Sequence, residues 1–151
     1  MIALRPLRES ELEAASQLCL RSKAHWGYDA DFMRRCEAEL TLAAAHLTES
    51  EIVAAIDGDR LVGIAQVAQA VDGCFLEKLF VDPGAMNLGT GRRLFEWAVD
   101  CARGIGATQI VVEADPDAVP FYRKMGCKSA GSVPSASIPD RQLPRLVFDL
   151  G

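Results

Sequence analysis

The sequence lacks a C-x-x-C pair, a strongly basic segment and any run of about 18 consecutive apolar residues. Its five cysteines are odd in number and widely spaced. This pattern predicts neither a disulfide framework nor a zinc site, and free cysteines are most often small core residues. The opening MIALRPLRES has no charged lead followed by an apolar run, so we expect a cytoplasmic protein without a membrane span.

Charge and histidine content argue against two further classes of protein. The formal net charge is −5, whereas proteins that coat nucleic acid normally carry a basic face or tail. The two histidines, His25 and His46, have no acidic or thiolate partner at metal-ligand spacing. We therefore expect no nucleic-acid partner and no metal, and we interpret His46 as a cation at the C-terminal end of a helix.

Length and composition predict one folded domain over residues 1–151. A chain of 151 residues is about the size of one ordinary domain. Its residues are 50% apolar and 25% charged, as in folded soluble proteins. No internal repeat, proline-rich linker or block of charge divides the chain.

The first half of the sequence predicts a strand, two or three helices and an antiparallel meander. MIALRPLR alternates as a half-buried strand does, and Ser10 is a candidate N-cap for the helix ELEAASQLCLRSKA. DFMRRCEAELTLAAAHL predicts one helix or two short ones. EIVAAI, LVGIAQVAQAV and CFLEKLFV follow with tight turns between them, which predicts three antiparallel strands.

The second half predicts alternating helices and strands. LGTGRRLFEWAVDCARGIG and DAVPFYRKMG have helical patterns, whereas TQIVVEA and RLVFDL have strand patterns. Strand, helix, strand is the parallel crossover unit. The proline-containing SVPSASIPDRQLPRL predicts an extended loop. The predicted fold class is therefore α/β (α+β), with one mixed, mostly antiparallel sheet flanked by helices.

The turn NLGTG lies between a strand and a helix and is a candidate anion site. The first N–H groups of a helix lack partners within the helix and favour an anion. Gly89 and Gly91 let a phosphate approach the main chain, and Arg92 and Arg93 add positive charge. An ordinary helix start explains this turn equally well. No Walker motif occurs, and Leu94 stands where a dinucleotide fingerprint has its third glycine.

The order of elements, the run LEKLFVDPGAMNLGTGRRLFEWA and the later DAVPFYRKMGC resemble the GNAT superfamily of N-acetyltransferases over nearly the whole chain. The family signature [RQ]-x-x-G-x-[GA] matches residues 86–91, where Met86 replaces the family's Arg or Gln. SKAHWGY and the SIPGR-like SIPDR resemble a subset of that superfamily. The resemblance implies a sheet splayed at a central parallel strand pair, acetyl-CoA as co-substrate and no metal, and it suggests a homodimer.

The resemblance also implies which residues hold acetyl-CoA. Main-chain N–H groups of the turn would cradle its pyrophosphate, and the end of the preceding strand would pair with its pantetheine arm. The residues implied are Leu79, Phe80, Val81, Asn87, Leu88, Gly89, Thr90, Gly91 and Arg92.

Two residues are candidates for catalysis by the same resemblance. Tyr122 matches a tyrosine that faces the CoA sulfur and can give a proton to the departing thiolate; its alternative role is a half-buried aromatic between helix and sheet. Glu77 matches an acidic residue that receives the proton of the amine, directly or through water. Its alternative is a solvent-facing position, because strand alternation places Glu77 and Lys78 on opposite sides of the sheet.

The break between the first two helices matches one wall of the acceptor pocket in the family. His25, Trp26 and Tyr28 are candidates for that wall, although a loop histidine is more often simply exposed. By analogy the proline-containing loop closes over the acceptor, with Ser135, Ser137 or Arg141 near it. A surface connection between two elements is the equally weighted alternative.

By this resemblance we expect an N-acetyltransferase that moves the acetyl group of acetyl-CoA to a primary amine by direct attack. The amine belongs to a small molecule, a peptide or a protein. The alternative is a catalytically silent acyl-CoA sensor or interaction module on the same fold. A protein that binds NAD or ATP at this turn is disfavoured because its motifs fail residue by residue.

Overall fold

A computed structural model describes residues 1–86 and 88–151. Their strands are β1 (Ile2–Pro6), β2 (Glu51–Asp57), β3 (Arg60–Ala70), β4 (Gly73–Val81), β5 (Gln109–Glu113), β6 (Lys128–Pro134) and β7 (Gln142–Asp149). Their α-helices are α1 (Leu12–Ala24), α2 (Ala30–Leu40), α3 (Ala44–Glu49), α4 (Thr90–Gly104) and α5 (Val119–Lys124).

The strands form one seven-stranded sheet in the order β1-β2-β3-β4-β5-β7-β6. Every neighbouring pair is antiparallel except β4 and β5, which are parallel. The ladder between β4 and β5 contains only two residue pairs, Cys74 with Ile110 and Phe75 with Val111. Beyond them the strands diverge, so the predicted mixed sheet with a splayed parallel pair is confirmed.

Helices cover both faces of the sheet and divide the core in two. On one face, residues of α1 and α2 such as Leu18, Cys19 and Cys36 are buried; Cys19 and Cys36 pack with Ile52 and Ile64 of the sheet. On the other face, α4 packs a stripe that includes Leu94, Phe95 and Ala98 against β3, β4 and β5. Apolar positions of α4 recur at three- and four-residue intervals, which is the period of a helix with one buried face.

The predicted helices and central strands are confirmed, but the edge strand β6 was not predicted. β6 pairs with β7, and six of its seven residues are exposed, so the sequence shows no alternation of apolar residues there. A register shift between Ser129 and Ser132 interrupts the pairing further, and Gly131 there has a φ of 95°. The extended loop predicted from residue 132 is therefore confined to residues 135–141.

Two local predictions were wrong because a short turn or a short helix intervenes. Ser10 does not cap α1; it lies inside a 3-10 turn, Glu9–Glu11, and Glu11 accepts the N–H of Arg8 at 2.9 Å. His46 is the third residue of α3, and its Nδ1 accepts the N–H of Ala43 at 2.9 Å. His46 therefore satisfies the start of a helix rather than its end.

Two further predictions concerned the cysteines and membrane spans. All five cysteines are free thiols, and four of them are buried. Among residues 1–86 and 88–151, no helix is both long and apolar enough to span a membrane.

A partly buried ion pair fastens the start of α1 to the edge strand β1. The two guanidinium nitrogens of Arg5 donate to the carboxylate of Glu11 at 2.7 and 2.8 Å. These hydrogen bonds lower the pKa of Glu11 from 4.5 to about 2, against the opposing effect of burial. The pair therefore stabilises the fold above about pH 4.5 and ceases to do so as the pH falls toward 2.

We expect Glu11→Gln to lower the urea midpoint of unfolding at pH 7, because the charge pair and one of its two strong hydrogen bonds are lost. The deficit should shrink as the pH falls below about 4.5, where the unfolded wild type takes up a proton. Glu13→Gln is the control, since Glu13 is exposed and has no hydrogen bond or ion pair among the described residues. A deficit independent of pH would contradict the role of the ion pair.

Candidate functional site

The divergence of β4 and β5 opens a cleft of about 1130 Å³ that reaches both faces of the sheet. Residues 75–81 of β4 and 112–115 at the end of β5 form its two sides. One end is lined from α1, α2, β6 and β7 by residues that include Lys23, Trp26, Glu39, Pro134 and Leu143. The other end is lined from α4 and α5 by residues that include Gly89, Gly91, Arg92, Phe121 and Tyr122. The cleft can therefore bring ligands from opposite faces of the sheet together.

The glycine turn begins α4 and presents unpaired donors. Gly89 has a φ of 78°, a conformation that favours glycine, and its carbonyl accepts the first helical bond from Arg93 at 3.1 Å. The N–H groups of Thr90, Gly91 and Arg92 have no backbone acceptor within residues 1–86 and 88–151. A Cβ on Gly91 would lie 3.2 Å from the ring of Phe121. The backbone conformation at Gly89 and the nearby ring of Phe121 therefore explain why glycine stands at both positions. The N–H groups of the turn can also hold an anion.

Among the described residues, some of those predicted to bind acetyl-CoA line the cleft and others do not. Leu79, Phe80, Val81, Gly89, Gly91 and Arg92 line the cleft. Leu88 is exposed, and the side chain of Thr90 is buried with no partner for its hydroxyl among the described residues. Asn87 lies outside the described residues. Arg93 donates to the carbonyl of Ile2 on β1 and so points away from the turn.

Tyr122 lies on α5 with its ring buried beside Phe95 and Phe121. It lines the cleft, and its hydroxyl has no hydrogen-bond partner within the described part of the chain. Burial raises the pKa of Tyr122, with a smaller contribution from Cys127. The phenol therefore stays protonated at neutral pH and can act as a proton donor.

A β-bulge in β4 places Glu77. Gln66 pairs with Lys78 and Val67 pairs with Leu76, so Glu77 is the extra residue. Leu76 and Leu79 consequently face the α4 side, although three positions separate them, and Phe80 faces the α1 side. The regular alternation assumed from the sequence is therefore interrupted at Glu77, whose exposed carboxylate lies along the cleft.

Lys78 also lines the cleft, and sequence reasoning did not single it out. Its Nζ donates to Oε1 of Gln66 at 3.3 Å, and Gln66 in turn donates to Ser50. Burial lowers the pKa of Lys78, partly offset by Cys19, Glu77 and Glu39. The lysine is therefore held toward the α1 side of the sheet.

Of the residues predicted for the acceptor wall, which are His25, Trp26, Tyr28 and Ser135, only Trp26 lines the cleft. Trp26 lines the cleft and remains 46% exposed, whereas His25 packs edge-on against Trp26 outside the lining. Tyr28 stacks on Phe32 with ring centroids 4.0 Å apart. The hydroxyl of Ser135 accepts the N–H groups of residues 137 and 138, so it shapes the 135–141 loop.

Sequence reasoning missed the carboxylates at the ends of the two parallel strands. Asp82 and Asp115 each precede a proline and cap a 3-10 turn, Pro83–Ala85 and Pro116–Ala118. Asp82 pairs with Arg21 and Asp115 pairs with Lys23, both on the last turns of α1. The repeated Asp-Pro after a strand was visible in the sequence, but its partners on α1 were not.

Comparisons with known proteins agree with this architecture. Residues 16–135 match the family described as acetyltransferase (GNAT) domain. The chain is 35% identical over 136 residues to the peptidyl-lysine N-acetyltransferase YjaB of Salmonella typhimurium, covering 87% of this chain and 86% of that protein. It is 36% identical over 103 residues to the chloroplastic serotonin N-acetyltransferase 2 of Oryza sativa subsp. japonica, covering 63% of this chain and 49% of that protein.

Solved structures share the fold at low sequence identity. A GCN5-related N-acetyltransferase from Rhodopseudomonas palustris superposes with a TM-score of 0.80 at 20% identity, over 97% of this chain and 94% of that one. The PaiA N-acetyltransferase from Thermoplasma acidophilum, in complex with coenzyme A, gives 0.78 at 15% identity, over 99% of both chains.

The splayed sheet, the glycine turn and the family match define the class of protein. The chain belongs to the acetyltransferase (GNAT) family. It is an N-acetyltransferase, an enzyme that moves an acetyl group to an amine. Within residues 1–86 and 88–151, no group of three or more His, Cys, Asp or Glu side chains could hold a metal ion.

Proposed function

We propose that the protein forms one domain over residues 1–151 and transfers the acetyl group of acetyl-CoA to a primary amine in the cleft between β4 and β5. The observation that carries this proposal is the glycine turn. The N–H groups of Thr90, Gly91 and Arg92 have no backbone acceptor among residues 1–86 and 88–151, and Gly89, Gly91 and Arg92 line that cleft. The five free thiols support a reducing compartment such as the cytoplasm. Dimerisation stays a prediction from the family resemblance.

The residues of the glycine turn and of β4 fit acetyl-CoA, the donor of the acetyl group. Unpaired N–H groups at the start of a helix attract an anion such as a pyrophosphate, and the absence of a Cβ at Gly91 leaves room beside Phe121. β4 is not paired with β5 after Phe75, so Leu79, Phe80 and Val81 have a free edge for an extended ligand. Arg92 adds an exposed positive charge at the same end. Asn87 and Leu88 complete the turn in this proposal.

Two side chains divide the proton transfers between them. Acetyl-CoA, when bound, supplies the thioester carbon that the amine attacks, and no covalent intermediate with the enzyme is needed. Glu77, exposed along the cleft, receives the proton of the amine directly or through water. Tyr122, kept neutral by burial, donates its proton to the departing sulfur.

The acceptor enters from the end of the cleft lined by α1 and α2. Glu39 and Glu77 lie along this part of the cleft, and carboxylates attract a cationic amine. Trp26 contributes apolar area and His25 packs edge-on against it. Tyr28 stacks on Phe32, and Ser135 shapes the 135–141 loop. The relatives' names, peptidyl-lysine and serotonin N-acetyltransferase, support a primary amine on a peptide or a small molecule.

Calorimetric titration tests the donor site first. We expect acetyl-CoA and CoA to bind with dissociation constants on the order of micromolar, and NAD not to bind.

Gly91→Ala should weaken the binding of acetyl-CoA and of CoA by roughly tenfold or more, equivalent to about 1.4 kcal/mol, because its Cβ would displace Phe121. Gly104→Ala, in the same helix with open space around it, is the control and should bind like wild type. Absence of CoA binding in wild type would overturn the proposal.

Tyr122→Phe should reduce release of free CoA thiol by about a hundredfold or more, with little change in acetyl-CoA affinity. The substitution removes a proton donor but leaves no unpaired partner among the described residues, and it keeps the ring that packs on Phe95. Thiol release with an amine panel and calorimetry on the same preparation measure the two effects. Equal turnover by the variant would remove Tyr122 from the mechanism, whereas wild-type binding without any turnover would favour the acyl-CoA sensor.

Glu77→Gln should lower kcat/KM for the amine by about a hundredfold near neutral pH, since the carboxylate no longer takes the proton. The deficit should narrow as the pH approaches the pKa of the amine, because the free amine then arrives neutral. Rates from pH 6 to 10 would show this, with Glu13→Gln as an exposed control on α1. A deficit that stays constant across this range would assign Glu77 to another role.

A further inference from the structure

Four side chains converge at the carboxyl end of β5 and form one cluster, which we call the Asp115 cluster. Lys23 donates to Asp115 at 2.7 Å, and the hydroxyl of Tyr28 donates to the same carboxylate at 2.8 Å. Arg141 donates to the Tyr28 oxygen at 2.8 Å and lies 3.4 Å from Asp115. Both Lys23 and Arg141 also lie over the stacked rings of Tyr28 and Phe32.

The Asp115 cluster is partly buried, so its charges are screened less than fully exposed charges are. The side chains of Lys23, Asp115 and Arg141 are exposed by only 13%, 11% and 17%. Burial alone would raise the pKa of Asp115, but hydrogen bonds from Lys23, the Asp117 N–H and Tyr28 outweigh it and lower that pKa. Breaking one partner of a buried ion pair is costly because it leaves the other charge uncompensated. The cluster is therefore a junction of connected, charge-assisted hydrogen bonds.

The junction joins segments that are distant in sequence. Lys23 ends α1, Tyr28 lies in the α1–α2 connection, and Arg141 ends the 135–141 loop. The same loop is tied to α2 at a second point, where Ser137 donates to Glu39 at 2.9 Å. Both ties hold the loop beside the end of the cleft that faces α1 and α2.

Asp115 also sets the start of the helix that carries Tyr122. Its Oδ1 accepts the N–H of Asp117 at 2.9 Å and so caps the Pro116–Ala118 turn, which leads directly into α5. One carboxylate therefore contacts the acceptor wall on one side and the Tyr122 helix on the other. Among the described residues, the hydrogen bonds and ion pairs of Asp115 do not reach the glycine turn at the start of α4.

We propose that Asp115 is a positioning residue that aligns the acceptor wall with the Tyr122 helix, so that it controls use of the acceptor amine and not binding of the donor. This inference rests on the proposed function. Asp115 acts through Lys23, Tyr28 and Arg141, which hold the 135–141 loop. Misplacement of a reacting group by about 1 Å can cost on the order of a hundredfold in rate.

Asp82 provides a matched control because it has the same local construction at the end of β4. It caps a 3-10 turn by accepting the N–H of Gly84 at 3.1 Å, and it pairs with Arg21 at 2.8 Å. Asp82 does not line the cleft, and its partner Arg21 is 52% exposed. Asp82→Asn therefore tests the loss of a comparable cap and ion pair away from the acceptor wall.

Steady-state kinetics of Asp115→Asn and Asp82→Asn test the proposal. Asparagine keeps the shape, but its neutral oxygen is a weaker acceptor for the Asp117 N–H, and it loses the charge that holds Lys23 and Arg141. We expect Asp115→Asn to lower kcat/KM for the amine by about tenfold to a hundredfold, with KM and calorimetric affinity for acetyl-CoA within about twofold of wild type. Asp82→Asn should leave all of these near wild type. The proposal would be overturned if Asp115→Asn weakened acetyl-CoA binding as much as it lowered kcat/KM for the amine. It would also be overturned if Asp115→Asn and Asp82→Asn had equal effects.

Tyr28→Phe supplies a second, gentler variant. It removes the hydroxyl that bridges Arg141 to Asp115 and keeps the ring stacked on Phe32. We expect it to raise KM for the amine in the wild-type background and to add nothing in the Asp115→Asn background. If the effects of Tyr28→Phe and Asp115→Asn on KM for the amine multiplied in the double variant, the two residues would not act through one cluster.

Hydrogen exchange gives a readout that does not depend on turnover. Asp115→Asn should accelerate amide exchange in residues 117–124 and 135–141 and leave residues 90–94 unchanged, whereas Asp82→Asn should change neither of the first two segments. Unchanged exchange in those two segments would overturn the proposal even if wild type proved inactive. Inactive wild type with the expected exchange pattern would instead overturn the proposed function alone.

Discussion

The brevity of the parallel ladder between β4 and β5 is the constraint on which the rest of the structure depends. Only two residue pairs join the strands, and beyond Phe75 the edge of β4 is free. A continuous sheet would separate the ligands bound on its two faces, whereas the divergence lets one cleft reach both. The ends of β4 and β5 then lead into α4 and α5, so the glycine turn and Tyr122 lie at the same opening.

Ion pairs from the last turns of α1 lie on both sides of this gap in the sheet. Arg21 reaches Asp82 after β4, and Lys23 reaches Asp115 after β5. The two ion pairs are unequal, because the side chain of Arg21 is 52% exposed while those of Lys23 and Asp115 are only 13% and 11% exposed. The side of the gap that adjoins the acceptor wall is therefore the more firmly held.

The features predicted correctly from the sequence are those that depend on neighbouring residues. The meander follows from tight turns between apolar strands, and α4 follows from its helical spacing after Gly89 and Gly91. The errors occurred where local signals were weak or ambiguous. β6 is an exposed edge strand, and the 3-10 turn at Glu9–Glu11 displaces the N-cap assigned to Ser10. The bulge at Glu77 depends on the register with β3, which no pattern within β4 encodes.

The sequence by itself determined the order of elements, the glycine turn and the family signature, because each is written in residues a few positions apart. Tertiary structure alone decided where the charges of the site meet. Lys23 and Tyr28 come from the end of α1 and the connection after it, whereas Asp115 and Arg141 come from two distant segments. Their contacts arise only when the sheet and α1 are in place. Partial burial then changes their chemistry, since charges that water would screen become a connected and less screened cluster.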